Sequence, residues 1–206
     1  MRYQQFIEQL AQKRPSPRVH IEDLVSLVHD YHHGVGRVFF RYFDHFPGSQ
    51  YGIFFWMEEE LAGRNEEPHR DAQIHLSSVL RDDRPLRRIV AAKEMMHVFD
   101  EEKQRTANVE QLRTLLNDIA EKPFLDEASA QYAADREALW KAIIALVPPW
   151  LRQEYLDQAR AGVIKPAELA ARWWLPENVA AAVVGSQYET AAARFGIDIQ
   201  ALSVAA

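Results

Sequence analysis

A chain of 206 residues with 48% apolar and 26% charged side chains has the make-up of one globular domain, or one with a small appendage, not of a disordered or fibrous protein. Its 24 basic and 30 acidic residues leave a net charge of −6, which argues against a nonspecific nucleic-acid binder, since such a protein needs a basic stripe to displace counterions. There is no cysteine, so disulfide scaffolds, thiolate zinc sites, iron–sulfur clusters and cysteine nucleophiles are excluded.

The start of the chain is polar and amphipathic, unlike a signal peptide. The longest apolar run, Ala142 to Leu151, is interrupted by Pro148 and Pro149 and is too short to span a bilayer. These features imply a soluble, cytoplasmic protein without membrane contact. Tyr3, Phe6, Ile7 and Leu10 predict a helix over 3–13, and Leu24, Val25, Leu27 and Val28 a second over 21–33, ended by Gly34 and Gly36. The period then changes. Arg37 to Phe43 and Gln50 to Met57 are aromatic and β-branched runs separated by Pro47-Gly48-Ser49, which predicts a hairpin. The charged segment 58–71 reads as a loop and Ile74 to Ser78 as a third strand.

From Pro85 the pattern is helical. Pro85 follows Asp82 and Asp83, either a suitable cap, and the helix is expected to run to about Asp100. Further helices are predicted over 109–121, ended by Pro123, and over 127–147, ended by Pro148. The tail holds three shorter ones, over 151–161, 166–173 and 176–184, before an Ala-rich end. The expected fold is therefore α+β, a small three-stranded sheet packed on a helical majority, with residues 1–150 as the main domain and 151–206 as a helical tail. Within the tail, Ala167 to Ala170 followed by Leu175 to Val179 has the cadence of a helix-turn-helix. A base-reading second helix needs cations or amides, and 176–184 offers only Asn178, so packing or protein contact is expected there and not direct nucleic-acid binding.

Two helices carry ionisable residues where packing alone would not place them. Over 85–100, Ile89, Ala92, Met96 and Phe99 form an apolar stripe, and Lys93, Glu94 and His97 lie beside it at spacings of three and four. Over 127–147, the stripe Ala128, Tyr132, Asp135, Leu139, Ala142 and Leu146 puts Asp135 at a core position. A lone buried carboxylate must find a cation, a metal or a proton there.

Ala91-Ala92-Lys93-Glu94-Met95-Met96-His97 resembles the active helix of a zincin metallopeptidase with its first histidine replaced by lysine. The strand Ile74-His75-Leu76-Ser77-Ser78, the arginines Arg84, Arg87 and Arg88, and the Ala-Ala pair before the motif are similar to the IrrE/ImmA family of zinc peptidases. That family carries its third ligand on a later helix, as an acidic residue followed by Ala three on, a small residue seven on and Pro thirteen on. Asp135, Ala138, Ala142 and Pro148 match this spacing. The resemblance implies a zincin-like fold and a metal site built from His97 and Asp135, with Glu94 activating water. It also implies a protein partner, by analogy a helix-turn-helix regulator. Two departures stand out: Lys93 occupies the first ligand position, and the interval from His97 to Asp135 is long enough for an extra helix.

An ammonium has three donors and no lone pair, so Lys93 ligates zinc only if it loses its proton. Protonated, it can stand in for the metal's charge, bonded to Asp135 and Glu94, and the protein then needs no cofactor. The readings that follow are a non-catalytic, protein-binding relative of these peptidases, an active zinc peptidase using His97, Asp135 and a further ligand, and an interaction protein whose site is only a buried ion pair. His75 is within reach of the presumed cleft. His29, His32 and His33 form an exposed helix end from which Asp30 faces away. The run Ile53-Phe54-Phe55-Trp56-Met57, apolar on both strand faces, implies burial on both sides or a partner surface.

Overall fold

A computed structural model describes residues 1–44, 51–57, 69–100, 116 and 130–204. The fold is α+β, with nine α-helices and one three-stranded mixed sheet among the described residues. Helix α1 (Tyr3–Lys13) buries Tyr3, Phe6, Ile7 and Leu10, the residues that its apolar spacing selects. Helix α2 (Ile21–Tyr31) buries Leu24, Leu27 and Val28. It closes before His32, whose extended backbone ends the helix two residues short of the expected position.

The sheet comprises β1 (Val35–Phe43), β2 (Gly52–Trp56) and β3 (Arg70–Ser77) in the order β1-β3-β2. The first two strands therefore do not form the expected hairpin. Strand β3 lies between them, parallel to β1 with Phe40 opposite Ile74, and antiparallel to β2 with Phe54 opposite Ile74. The stretch from Phe43 to Gly52 exceeds the two to five residues that hold a hairpin in register. The central place instead goes to β3, whose Ala72, Ile74 and Leu76 are fully buried and whose backbone bonds on both edges. It starts at Arg70, taking Arg70 and Asp71 from the expected loop, whose residues 58–68 lie outside the described part of the chain.

Helix α3 (Arg84–Met96) crosses one face of the sheet. Asp83 caps it by accepting from the Leu86 amide at 3.0 Å, and Pro85 fills the first turn. Gly52 lets helix and sheet meet, since a Cβ there would fall 2.7 Å from Glu94 Cγ and 2.8 Å from Val90 Cγ1. The α-helical backbone stops at Met96 and tightens into a 3₁₀ turn over His97–Phe99, so the expected helix to Asp100 has a different last turn.

Helix α4 (Ala130–Leu146) packs on α3. From Ala134 to Leu146 every residue but Glu137 is buried, so the helix is central and not buried along one stripe. Tyr132 is only partly buried; Ala128 and the expected helix over 109–121, Leu116 apart, fall outside the described residues. The tail contains α5 (Pro149–Arg160), α6 (Pro166–Trp173), α7 (Glu177–Val184), α8 (Gln187–Arg194) and α9 (Ile199–Val204), the last two lying in the Ala-rich end beyond the three expected helices. The tail continues the same apolar core that begins at Tyr3. It is tied to the residue that follows α4 by the buried Tyr188 hydroxyl, which donates to Val147 O at 2.8 Å. Asn178, the one base-reading candidate on α7, donates instead to Leu116 O at 2.7 Å. No helix among the described residues is long and apolar enough to cross a membrane.

Candidate functional site

Where α3 rests on α4, the structure brings together Lys93, Glu94, His97 and Asp135. The helical repeat puts Lys93 and Glu94 on the side of α3 that turns toward α4 and β2, His97 follows at the start of the 3₁₀ turn, and Asp135 meets them from the first described turns of α4. The Lys93 ammonium donates to Asp135 Oδ1 at 2.5 Å and to Glu94 Oε1 at 3.0 Å. Side-chain exposure is 1% for Lys93 and 2% for Asp135, so the contact excludes water. His97 Nε2 stands 3.7 Å from Asp135 Oδ1 and 3.8 Å from Glu94 Oε2, within electrostatic reach but beyond hydrogen-bond length.

The 3₁₀ turn after α3 adds two residues that the sequence reading had not selected. It carries Asp100 back to His97, whose Nδ1 lies 2.7 Å from Asp100 Oδ2, while Asp100 Oδ1 accepts from Lys141 Nζ of α4 at 2.7 Å. The cluster is thus a chain of alternating charge from Lys93 through Asp135 and Glu94 to His97, Asp100 and Lys141. One sequence signal could have found Lys141: a lysine inside the otherwise apolar run Leu139 to Val147 needs a buried partner. Asp100 carries only its spacing of three from His97.

The protonation states follow from burial set against these neighbours. Burial alone would lower the Lys93 pKa, but Glu94 and Asp135 outweigh it and hold the ammonium above its ordinary value. For His97 burial again pulls downward, and the Asp100 and Asp135 carboxylates reverse it to a raised pKa. Asp135 and Asp100 are each pushed up by burial and brought below the ordinary carboxylate value, Asp135 chiefly by Lys93 and Asp100 chiefly by His97.

Zinc would have to sit among His97 Nε2, Asp135 and Glu94. Ligand atoms at about 2.0–2.2 Å from one tetrahedral ion lie about 3.3–3.6 Å apart, close to the spacings seen here, and Asp135 Oδ2 has no hydrogen-bond donor among the described residues. The Lys93 ammonium nevertheless bonds the carboxylate oxygen nearest His97, and its raised pKa keeps it charged. Among the described residues no group of three His, Asp or Glu is arranged to hold a metal. With Lys93 charged and bonded there, the described residues do not fit one.

His75 is not part of this cluster. It stands on the opposite face of the sheet from α3, with its ring 4.3 Å from Phe43 and 4.9 Å from Phe55. His29 and His33 are exposed as expected, whereas His32 is half-buried with its ring 5.6 Å from Phe99, and Asp30 does not face away: its Oδ1 lies 3.4 Å from His29 Nδ1. Comparison of the chain with protein-family models, with curated proteins and with solved structures finds no match.

Proposed function

We propose that the chain is a non-catalytic relative of the IrrE/ImmA peptidases, zincin-like in architecture, in which the Lys93 ammonium takes the electrostatic place of the metal and the body of the protein binds a protein partner. One observation carries this reading: Lys93 Nζ bonds Asp135 and Glu94 at once, at 2.5 and 3.0 Å, inside the core. A fixed +1 charge with three donors bonds both carboxylates without offering a ligand position, and it leaves no Lewis acid beside Glu94 to polarise a peptide carbonyl. Glu94, packed under Gly52 and 4% exposed, then serves as an ion-pair partner and not as a general base.

The partner is a protein, by the family resemblance a helix-turn-helix regulator met in the cytoplasm, with no direct nucleic-acid or membrane contact. Phe43 and Phe55 remain exposed beside His75 on the sheet face away from α3, with Met57 exposed at the end of β2, which supports a protein-contact surface there. The test is the zinc content of protein purified without chelator, together with a protease assay on a helix-turn-helix repressor. The expected result is substoichiometric zinc and an uncut repressor. Stoichiometric zinc with cleavage overturns the proposal in favour of an active peptidase that uses His97, Asp135 and a further ligand, with Glu94 as the base.

A further inference from the structure

The N-terminal half of α3 borders a cavity of about 510 Å³ whose polar lining is mostly cationic. Arg84, Arg87 and Arg88 of α3 line one wall, and His20 and Glu22 at the start of α2 line another. Trp174, between α6 and α7, closes a third side, and Phe40, Tyr42 and Leu76 of the sheet supply an apolar floor. Among the described residues Glu22 is the sole carboxylate in the lining against these three guanidiniums.

Among the described residues, none of Arg18, Arg84, Arg87 and Arg88 pairs with a carboxylate; their described contacts are to neutral groups. Arg18 and Arg84 lie against the Trp174 ring, at 3.6 and 3.1 Å from its centroid. Arg87 donates to Arg81 O at 2.6 Å and Arg88 to Val19 O at 2.5 Å. Arg88 is 6% exposed, and its Nε–H, like the buried Nη1 of Arg18, has no acceptor among the described residues. Burial first, and then the neighbouring Arg18 and Arg84 charges, push the Arg88 guanidinium down to about 10. A dry donor without an acceptor and a group of like charges that Glu22 and Asp23 offset only in part, without an ion pair, are both costly, and one oxyanion relieves both.

We infer that this cavity binds a small phosphate monoester with an apolar or aromatic body. Guanidinium groups recognise planar or tetrahedral oxyanions through paired N–H donors. Three lining arginines exceed what a single carboxylate can use, whereas a phosphate monoester offers three terminal oxygens and up to two charges. The volume lies within the range of small-molecule pockets, and the floor of Phe40, Tyr42 and Leu76 suits the organic part of such a ligand. The site is separate from the Lys93 cluster and does not depend on the function proposed for it.

The test is calorimetric titration of the full chain with phenyl phosphate, inorganic phosphate and benzoate as probes. Phenyl phosphate is expected to bind, inorganic phosphate more weakly because it lacks the ring, and benzoate least. Arg87→Gln and Arg84→Gln, at positions that are not buried, should each keep the fold and weaken phenyl phosphate binding about tenfold or more, the worth of one charge-assisted hydrogen bond. Circular dichroism confirms the fold of each variant. Benzoate binding as tightly as phenyl phosphate overturns the phosphate assignment. Undiminished binding by both variants overturns the location, and no binding of phenyl phosphate in the millimolar range overturns the site.

Discussion

Lys93 of α3 and Asp135 of α4 are joined at 2.5 Å in a contact that water does not reach, so the two helices share one buried ion pair. Such a pair is worth little against an apolar replacement, yet either partner alone is a buried unpaired charge. The two residues are not equivalent, because Lys93 also serves Glu94.

Single substitutions should therefore be severe and unequal. Asp135→Ala leaves Lys93 with Glu94 and is expected to cost about 3 kcal/mol, whereas Lys93→Met strands two carboxyl groups and should cost about 5 kcal/mol. The double variant should recover much of the loss, as a coupling well above the scatter of independent sites. Urea denaturation of all four proteins measures this, and additive losses would mean that the residues do not meet.

Lys93→His removes the ammonium and places an imidazole one helical turn from His97, beside Asp135. Zinc affinity, measured by competition with a chromophoric chelator, should rise above that of the parent, because three protein ligands then face one position. A folded variant with unchanged affinity would count against the zincin-like arrangement.

Stability should depend on pH at both ends. His97 has a raised pKa in the fold, so its contribution is complete below the ordinary value of 6.5 and is lost as pH rises through the raised value. Over that window the slope should approach about 1.4 kcal/mol per pH unit, and His97→Gln should abolish it. Asp135 and Asp100 have lowered pKa values, so their contribution is complete above 3.8 and disappears as pH falls through the lowered values. Urea midpoints across a pH series, for the parent and His97→Gln, check both limits.

Gly52→Ala forces a methyl group against Glu94 Cγ and Val90 Cγ1 at 2.7 and 2.8 Å. Helix α3 must then lift from β2 or Glu94 must leave its rotamer, at an expected cost of about 1–3 kcal/mol. A thermal melt detects this; an unchanged melting temperature would show that the helix is not seated so closely.

Much of the fold could be read from spacing. Helix α1 buries the residues that its apolar repeat selects, α3 buries Ile89, Ala92 and Met96 of its stripe within a run buried from Arg88 to Met96, and Asp135 stood out because a carboxylate interrupts an otherwise apolar stripe. Strand order was not legible, because alternation tells a strand which face to bury and not which neighbour to bond. Both aromatic runs looked like partners for each other, and the discriminating fact is the deeper burial of β3. Asp100 was hidden by a change of helical type at His97 that leaves no mark in residue choice. The face of His75 depended on register, which a shift of one residue inverts. The arginines of α3 were visible as a run, but their lack of carboxylate partners is a property of the packing.

The middle strand of the sheet is the last of the three to be synthesised. When β1 and β2 have left the ribosome, neither has its hydrogen-bonding neighbour until Arg70 to Ser77 follows. Through that interval Phe39, Phe40, Phe54, Phe55 and Trp56 belong to open edges with no template between them, a condition under which nascent chains pair with one another. Topology thus makes the arrival of one short segment the event that ends the period of greatest exposure to aggregation.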